Sequence, residues 1–360
     1  MRRNSFSQFI FNRFKINEAC LHDLSYLFWE CTKRCNLHCL HCGSDCAADS
    51  ATEDMPFDDF LHAIIPLCGM YKKNSITVAI TGGEPLLRDD LPLCGRKLRE
   101  NGFRWGMVTN GYGYTPEMHD KLLAAGMGSL TLSLDGFEQS HNWLRGSEKS
   151  FEKAVRALSL ITSASRLVYD VVTCVNQNNI SELAALKEFL IERNAMAWRL
   201  FTISPIGRAS GNGALYLTPD QIKQLMDFIV HARADKRIKV TFGCESYLGQ
   251  YERKVRDSYF FCRAGISTAS VLADGSISAC PNINRNFIQG NIYSDAFADV
   301  WKNRFQIMRD RKWTKTGICA HCKEYKNCGG GSMHQWNEKK DTIMACIYNQ
   351  LCSTEEGKKL

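Results

Sequence analysis

Short apolar runs alternate with amphipathic stretches of helical periodicity from about residue 23 to residue 243. Six of these runs have the length and the β-branched or aromatic content of buried strands, and they span residues 24–29, 76–80, 103–108, 129–134, 167–175 and 197–203. Strands that alternate with helices form parallel sheets joined by crossover helices. The hydrophobic pattern therefore predicts an α/β fold.

Several of the predicted helices have recognisable N-termini. Thr115 and Thr218 each precede a proline, which places a capping hydroxyl before a proline at the first helical position. Thr218 with Gln221 predicts a capping box. The sequence Asn179-Ile-Ser-Glu predicts another one, ahead of an apolar helix face formed by Leu183, Leu186 and Leu190.

Six strand–helix units are fewer than the eight that close a barrel. We therefore expect a partial (β/α)6 barrel of the TIM type, open on one side. After about residue 244 the alternation stops, and residues 267–272 and 276–279 flank the hairpin signal Asp274-Gly275 ahead of cysteine-rich loops. The chain is thus divided into an N-terminal segment (1–22), the partial barrel (23–243) and a small cysteine-rich domain organised by metal (244–360).

Composition and charge exclude several classes of protein. The chain has 360 residues, 44% of them hydrophobic and 23% charged, which excludes a disordered chain. The net charge of +7 comes from interspersed signs and does not indicate a nucleic-acid partner. No apolar run is long enough for a membrane span, and the basic N-terminus lacks the features of a secretory signal, so we expect a cytoplasmic protein. Residues 9–14 are either a membrane-surface anchor or, as their length favours, a docked terminal helix or strand.

The 17 cysteines are the unusual feature of the composition. An odd number in a chain without a secretory signal favours metal or cluster ligands over disulfides. One group comprises Cys31, Cys35, Cys39, Cys42 and Cys46. A second group comprises Cys262, Cys280, Cys319, Cys322, Cys328, Cys346 and Cys352, with Cys244 just upstream.

In the first group, Cys35, Cys39 and Cys42 follow the first predicted strand with C-x3-C-x2-C spacing. Parallel barrels build their sites in the loops at the C-terminal ends of the strands. Three thiolates can hold three irons of a [4Fe–4S] cube and leave the fourth iron open, as a catalytic metal site requires. A zinc site or a coincidence of surplus cysteines are the alternatives. We interpret Cys31 and Cys46 as structural thiols.

Four motifs then carry a family resemblance. Trp29-Glu-Cys-Thr leading into the three cysteines resembles the signature of radical S-adenosylmethionine (radical SAM) enzymes. Gly82-Gly83-Glu84-Pro85 after the second strand resembles the GGEP motif of that family. Asn110-Gly111 after the third strand and Ser133-Leu-Asp135-Gly after the fourth match in order and spacing. The resemblance covers residues 24 to about 240.

The resemblance implies a [4Fe–4S] cluster whose open iron binds the methionyl amine and carboxylate of S-adenosylmethionine. Reductive cleavage of that cofactor yields a 5′-deoxyadenosyl radical, which abstracts a hydrogen atom from a substrate. Gly82 and Gly83 are expected to let the backbone approach the methionyl amine closely. Glu84 is expected to fix the strand end or to cap the loop, and Asn110 to help line the pocket.

The remaining cofactor contacts are also implied by the resemblance. Ser133 and Asp135 are expected to hydrogen-bond the ribose hydroxyls. Arg145 either pairs with the methionyl carboxylate or forms a surface salt bridge. His41, inside the cysteine motif, is expected to pack against the cluster or to donate to the cofactor. No catalytic residue is assigned beyond the cluster.

The second cysteine group resembles the SPASM extension of radical SAM enzymes, whose cysteines hold one or two auxiliary [4Fe–4S] clusters. Its matching residues are Cys262, Cys280, Cys319, Cys322, Cys328 and Cys346, but Ser332 stands where the family has a further cysteine. The last four cysteines can close one cube. Cys262 and Cys280 are too few to ligate a second [4Fe–4S] cluster by themselves. Either Cys244 or Cys352 supplies a further ligand, or their site carries a smaller cluster, a cluster with an open iron, or no cluster. A zinc ribbon is the alternative.

The sequence therefore predicts a radical SAM enzyme with a SPASM-like iron–sulfur domain, acting as a maturase that crosslinks or oxidises a peptide or protein. Its electron donor is expected to be of flavodoxin or ferredoxin type. The phrases Cys262-Arg-Ala-Gly and 309–313 resemble a branch from gut Bacteroidetes linked to lipoproteins. The alternatives are an enzyme for a small molecule, such as a tetrapyrrole side chain or a sugar, and a non-catalytic iron–sulfur or zinc-binding protein.

Overall fold

The computed structural model describes residues 2–243, 245–337, 339 and 341–356. In this part of the chain the strands form one sheet. They are β1 Tyr26–Glu30, β2 Thr77–Thr81, β3 Arg104–Thr109, β4 Ser129–Ser133, β5 Val168–Val175, β6 Ala197–Thr202, β7 Lys239–Phe242, β8 Thr268–Val271, β9 Ser276–Ser278 and β10 Gly290–Asn291.

The α-helices of the same residues lie mainly between these strands and in the C-terminal part. They are α1 Arg2–Leu21, α2 Phe57–Ile64, α3 Leu67–Met70, α4 Leu91–Glu100, α5 Pro116–Ala124, α6 Glu138–Arg145, α7 Ser150–Ser163, α8 Leu183–Glu192, α9 Pro219–Ala234, α10 Phe297–Asn303, α11 Gln306–Arg309, α12 Tyr325–Cys328 and α13 Ile347–Glu356.

The first seven strands follow one another in the sheet, each parallel to its neighbour. All six predicted strands are present, and the predicted α/β partial barrel is confirmed. The seventh strand, β7, was not predicted. It has only four residues, Lys-Val-Thr-Phe, and two of them are polar, so its apolar pattern is too short to be recognised.

The predicted hairpin is also present, as the antiparallel pair β8 and β9. Its first strand additionally pairs in parallel with β1, with Tyr26 opposite Thr268. The cysteine-rich part of the chain therefore continues the barrel sheet, because the free edge of β1 offers unpaired backbone groups that β8 satisfies. The domain boundary near residue 244 stays a prediction.

The two faces of β1 show how the sheet separates core from site. Leu27 and Trp29 point toward the outer helices and are fully buried, and Trp29 stacks on Phe60 of α2 with ring centroids 4.5 Å apart. Tyr26 and Phe28 alternate with them and line an interior cavity. Because successive side chains of a strand point to opposite faces, one face of β1 packs in the core and the other faces the cavity.

Two of the three predicted helix starts are confirmed. Thr115 accepts a hydrogen bond from the Met118 amide, and Thr218 forms a complete capping box with Gln221. The box predicted at Asn179–Glu182 is wrong. The Asn179 amide group donates to the Asp135 carbonyl, and the Glu182 carboxylate accepts from Ser140 Oγ, so tertiary partners hold both side chains. The apolar face of Leu183, Leu186 and Leu190 is buried as predicted.

Residues 9–14 lie in α1, a helix docked on the C-terminal part of the chain, as their length favoured. Phe11 packs against Tyr259 and Phe261, with ring centroids 5.4 and 6.4 Å away. Glu18 pairs with Arg263 at 3.4 Å. In the described part of the chain, no helix has both the length and the apolar character needed to cross a membrane.

Candidate active site

The loop after β1 brings Cys35, Cys39 and Cys42 to one cavity of about 330 Å³ at the C-terminal ends of the strands. Cys35 and Cys39 are buried, and Cys42 is half-buried. The Cys35 amide donates to the Ala47 carbonyl at 3.0 Å, which folds the loop back on itself. The structure therefore brings the three predicted cluster ligands together.

Burial and neighbouring thiolates oppose the ionisation of Cys35 and Cys39. Burial raises the pKa of Cys35 to about 11, and the neighbouring Cys39 and Cys42 thiolates raise it further. Burial also raises the pKa of Cys39, although the Arg145 guanidinium acts in the opposite direction. Thiolates that share one cavity in this way need a positive partner. The donor set fits a cationic iron–sulfur cluster.

Cys46, interpreted from the sequence as a structural thiol, lies against Cys42. Its amide donates to Cys42 Sγ at 3.4 Å, and its own thiol donates to the Ser44 carbonyl at 3.9 Å. The contact with Cys46 stabilises the Cys42 thiolate and lowers the pKa of Cys42, while the pKa of Cys46 is raised. Cys46 therefore favours the thiolate form of Cys42, which is the form that a metal ligand needs.

Gly82 and Gly83 pack backbone to backbone against the cysteine loop. The Gly83 amide donates to the Thr32 carbonyl at 2.7 Å, and the Glu84 amide donates to the Arg34 carbonyl at 2.9 Å. A Cβ on Gly83 would lie 2.0 Å from the Arg34 oxygen, which no side chain tolerates. The glycines also border the cavity, so the predicted approach to the methionyl amine stays possible.

Glu84 joins the ends of β2 and β3. Its carboxylate accepts hydrogen bonds from Thr109 Oγ1 at 2.7 Å, from the Asn110 amide at 2.8 Å and from the Leu86 amide at 3.2 Å. Burial raises the pKa of Glu84 to about 7 despite these donors. The side chain thus fixes the strand ends, as the sequence indicated.

Asn110 connects that strand edge to the cysteine loop. Its Nδ2 donates to Asn36 Oδ1 at 2.8 Å and lies 4.0 Å from Cys35 Sγ. Its Oδ1 accepts from the Tyr112 amide at 2.8 Å. Asn110 borders the cavity, in agreement with its predicted position in the pocket.

Arg145 and Asp135 form a buried ion pair beside the cysteines. Arg145 Nε donates to Asp135 Oδ2 at 2.6 Å, and Arg145 Nη1 lies 3.8 Å from Cys39 Sγ. Burial alone would lower the pKa of Arg145 and raise that of Asp135, but the pair shifts both in the opposite directions. The surface salt bridge considered for Arg145 is therefore wrong, because the pair is enclosed.

The two residues expected at the ribose differ in their access to the cavity. Ser133 borders it. The carboxylate of Asp135 is fully enclosed and also accepts from the Cys174 amide at 2.7 Å. Contact of Asp135 with the ribose stays a prediction, and its observed partners are Arg145 and the end of β5.

His41 presents an enclosed ring nitrogen near the cysteines. Burial lowers its pKa to about 4, so the ring is neutral at pH 7. Its Nδ1 has no hydrogen-bond partner among the described residues. His41 borders the same cavity. A buried polar atom without a partner at this position fits a site built around a bound group.

Arg208, not singled out in the sequence, secures the cysteine loop from the far side. Its Nε donates to the Cys39 carbonyl at 2.9 Å, and its Nη1 donates to the Cys46 carbonyl at 2.8 Å. It also borders the cavity. Its position after β6, at the strand end where sites form, is the signal that could have identified it.

The cavity of the three cysteines borders two larger ones. A cavity of about 400 Å³ shares the wall residues Phe28 and Cys280 with it, and a cavity of about 410 Å³ shares Glu30 and Ser44. His334 lines both of the larger cavities. The three cavities are therefore neighbours.

In the second cysteine group, Cys319, Cys322, Cys328 and Cys346 influence one another. Burial raises the pKa of Cys328 to about 12, and Cys346, Cys319 and Cys322 raise it further. Burial likewise raises the pKa of Cys319 to about 11, with added contributions from Cys346 and Cys322. The four thiols are thus neighbours, as a shared cluster requires.

The turn after Cys328 supports the same interpretation. Gly329, Gly330 and Gly331 have φ angles of 68°, 80° and 74°, a left-handed run that only glycines adopt easily. The Gly331 amide donates to Cys328 Sγ at 3.1 Å. Successive amides in such turns form concave sites for anions and iron–sulfur clusters.

Cys262 and Cys280 lie apart from these four and line the cavity of about 400 Å³ together with Ser332. Burial alone would raise the pKa of Cys262, but Arg311 and the Met333 and Ala264 amides outweigh it and lower the pKa. Cys352, suggested as a substitute ligand here, instead lies near Cys346 and Tyr348. Cys244, the other suggested substitute, lies outside the described residues.

Comparison with known proteins connects both sites to families. The radical SAM superfamily matches residues 29–190, and the SPASM iron–sulfur cluster-binding domain matches residues 262–323. The AdoMet-dependent heme synthase of Methanosarcina barkeri is 26% identical over 341 residues, covering 89% of this chain and 95% of that protein. The mycofactocin maturase MftC of Mycolicibacterium smegmatis is 30% identical over 316 residues, covering 85% and 77%. The Bacteroidetes branch has no support from these relatives.

Solved structures share the fold. The AdoMet-bound structure of anSMEcpe has a TM-score of 0.72 at 18% identity, covering 92% of this chain and 95% of that one. Streptococcus suis SuiB bound to its precursor peptide SuiA has a TM-score of 0.70 at 16% identity, covering 93% and 79%. The predicted cofactors, a [4Fe–4S] cluster, S-adenosylmethionine and auxiliary iron–sulfur clusters, are confirmed by the two family matches. This chain belongs to the radical SAM superfamily and carries a SPASM domain.

Proposed function

We propose that this protein cleaves S-adenosylmethionine reductively at a cluster held by Cys35, Cys39 and Cys42 and modifies a peptide or protein substrate. The observation that carries the proposal is the convergence of these three cysteines on one cavity with Gly82 and Gly83. When bound, the cluster supplies the electron that turns the cofactor into a hydrogen-abstracting radical. A flavodoxin- or ferredoxin-type protein provides that electron.

The chain's own residues have separate tasks in this proposal. The three cysteines hold the cluster, and the Gly82–Gly83 edge leaves room for the methionyl amine. Arg145 binds the methionyl carboxylate through the part of its guanidinium that faces the cavity, while Asp135 keeps it in position. Ser133 hydrogen-bonds a ribose hydroxyl. His41 remains neutral and donates from its Nδ1 to the bound cofactor.

In the SPASM domain we assign Cys319, Cys322, Cys328 and Cys346 to one auxiliary cluster. The match to an iron–sulfur cluster-binding domain over residues 262–323, and the effect of these four thiols on one another's pKa, support a cluster over a zinc ribbon. The auxiliary cluster would accept the electron that remains after hydrogen abstraction.

A peptide substrate is supported by the neighbouring cavities and by two similar proteins. The three adjacent cavities, of about 330, 400 and 410 Å³, offer separate places for side chains of an extended peptide. MftC is a maturase, and SuiB has been solved with a precursor peptide. A tetrapyrrole side chain is the second candidate, favoured by the likeness to the heme synthase.

A substrate test separates the two candidates. The anaerobically reconstituted protein, with S-adenosylmethionine and a reductant, is incubated either with short peptides encoded beside its gene or with an iron tetrapyrrole bearing propionate side chains. Mass spectrometry should detect a mass change in a peptide that is absent from the Cys35→Ala variant. A mass change confined to the tetrapyrrole would replace the peptide with the second candidate.

A further inference from the structure

The N-terminal helix is attached to the residue that precedes a proposed cluster ligand. Asn12 Nδ2 donates to Asn327 Oδ1 at 2.8 Å, and Lys15 Nζ donates to the Asn327 carbonyl at 2.6 Å. Asn327 lies in α12, directly before Cys328. The two hydrogen bonds come from adjacent turns of α1. They fix the ammonium group of Lys15 at the backbone next to the SPASM cysteines.

Ring contacts of Phe11 and Phe14 also hold α1 in this position, and the Lys15 ammonium lies 5.9 Å from the centroid of the Phe11 ring. Phe14 packs against Phe261 with ring centroids 6.3 Å apart, and the Arg263 guanidinium lies over both rings. Phe11 adds its contacts with Tyr259 and Phe261. A change confined to the Lys15 head group should therefore leave the helix in place.

The charge of Lys15 is partly removed from water and acts on Cys328. Burial lowers the pKa of Lys15 to about 8, which leaves the ammonium mostly protonated at pH 7. Among the charged groups that act on it, the Cys328 thiolate has the largest effect, ahead of Arg311 and Glu252. A charge outside bulk water is screened much less than one on the surface.

We propose that Lys15 raises the reduction potential of the auxiliary cluster held by Cys319, Cys322, Cys328 and Cys346. Reduction adds one electron to the cluster, and a fixed positive charge beside one of its thiolates stabilises the more negative, reduced state. The inference rests on the proposed ligand assignment. It gives the N-terminal helix a role in the reaction, because a higher potential makes this cluster a better acceptor of the electron left by substrate oxidation.

Lys323 provides a matched comparison. It is next to Cys322, another proposed ligand of the same cluster, but its side chain is exposed. Solvent and salt screen an exposed charge, so its removal should hardly change the potential. Lys15 is hydrogen-bonded to the residue before Cys328, and Lys323 follows Cys322 in the chain, so both lysines are near a proposed ligand but differ in burial.

The experiment is an anaerobic redox titration followed by electron paramagnetic resonance. It uses the full-length chain with Cys35, Cys39 and Cys42 replaced by Ala, which removes the barrel cluster. The paramagnetic resonance signal that is titrated is the one that disappears when Cys319→Ala and Cys322→Ala are introduced into this triple variant. Lys15→Met should move the midpoint potential of this signal to a more negative value. At the midpoint potential of the parent, the ratio of reduced to oxidised cluster should fall about tenfold, which corresponds to a shift of ~59 mV for one electron. Lys15→Arg and Lys323→Met should keep the parent value.

The possible failures are distinguishable. An unchanged midpoint in Lys15→Met overturns the role of Lys15 and leaves the ligand assignment intact. Equal shifts in Lys15→Met and Lys15→Arg overturn it as well, because packing rather than charge would then set the potential. If no signal depends on Cys319 and Cys322, the proposed cluster assignment fails and the inference fails with it.

Discussion

Arg145 and Asp135 pair at 2.5 Å between Nη2 and Oδ2, and the same guanidinium reaches Cys39 Sγ at 3.8 Å through Nη1. Asp135 lies two residues after the end of β4, and Arg145 is the last residue of α6. The ion pair thus connects the barrel wall to the cysteine loop. Because it is enclosed, the charge on each partner depends on the other.

Replacing Asp135 should therefore destabilise the protein. Asp135→Asn leaves the buried Arg145 cation without a counter-charge, and we expect a loss of about 3 kcal/mol in the free energy of unfolding. Chemical denaturation of the reduced, cluster-free protein measures this change. Asp257→Asn is the control, since the Asp257 side chain is 57% exposed and solvent screens its pairs with Arg233 and Lys239, which should each contribute less than about 1 kcal/mol. Equal stabilities of the Asp135 variant and the parent would contradict a buried pair.

Each of the three barrel cysteines should be indispensable for cofactor cleavage. A site with three thiolates has no spare ligand, so Cys35→Ala, Cys39→Ala or Cys42→Ala exposes a second iron and should abolish 5′-deoxyadenosine formation. Chromatography of reactions with excess reductant measures the product. Cys94→Ala, at a buried cysteine of α4, is the matched control and should keep full production. Undiminished product from any of the three variants would refute the ligand assignment.

The first six barrel strands could be predicted from the sequence because each is a short segment rich in apolar, β-branched or aromatic residues between helical segments. The motifs Gly82–Glu84 and Asn110 could be placed together because the C-terminal ends of parallel strands meet at one edge. β7 could not be predicted, because half of its four residues are polar. The pairing of β8 with β1 was missed because a contact between residues 26 and 268 leaves no local signal.

The glycine pair shows a different limit of sequence reasoning. The sequence predicted that the Gly83 backbone approaches the cofactor closely. The structure shows a close approach of Gly83 to the Arg34 carbonyl. Likewise, Arg208 and Cys46 act through backbone carbonyls and a neighbouring thiol. Such contacts depend on loop geometry, which no periodicity encodes. Sequence reasoning therefore predicted which cysteines share a cavity better than it predicted the residues that hold their loop in place.

Gly83→Val should weaken both cofactor binding and cluster loading. A side chain at Gly83 would collide with the Arg34 carbonyl, which belongs to the loop leading into Cys35, so the loop must move. We expect a lower iron content per chain and no measurable S-adenosylmethionine affinity by equilibrium dialysis. Gly69→Ala is the control, since a Cβ there meets open space. Cofactor affinity equal to that of the parent would remove Gly83 from the site.

Stability should fall between pH 5 and pH 8 because of two buried carboxyl groups. Burial raises the pKa of both Glu84 and Glu245 to about 7 in the folded protein, against 4.5 when unfolded. Between these values the folded state keeps a proton that the unfolded state has released. The protonated carboxyl groups of Glu84 and Glu245 therefore make their full contribution to the free energy of unfolding below about pH 4.5. This contribution is lost as the pH rises through 7.

Thermal unfolding at several pH values checks this expectation. Glu245→Gln, which cannot ionise, should unfold with a smaller pH dependence between pH 5 and pH 8 than the parent. Glu117→Gln is the control, because Glu117 is exposed and Lys121 lowers its pKa, which places its effect below that range. A parent whose melting temperature rises steadily from pH 5 to pH 8, with Glu245→Gln doing the same, would contradict the buried protonated state.

Iron content should exceed what one cluster explains, and the excess should depend on the SPASM cysteines. Cys319, Cys322, Cys328 and Cys346 supply four thiolates, so their cluster is fully ligated by protein and its spectrum should not respond to S-adenosylmethionine. The barrel cluster, with its open iron, should respond. Iron and sulfide assays on the parent, on the Cys35/Cys39/Cys42 triple variant and on a Cys319/Cys322 double variant measure the distribution.

Ser332 extends this prediction to the number of clusters. Ser332 lines the same cavity as Cys262 and Cys280, two ligands that cannot close a cube alone. In the triple-variant background, Ser332→Cys should therefore raise the iron content, because a third thiolate enters that cavity. Ser294→Cys is the control, at an exposed serine away from both groups, and should leave the iron content unchanged. If the triple variant holds tightly bound zinc and no iron, the SPASM cysteines form a zinc ribbon, and the electron-accepting role proposed for them must be abandoned.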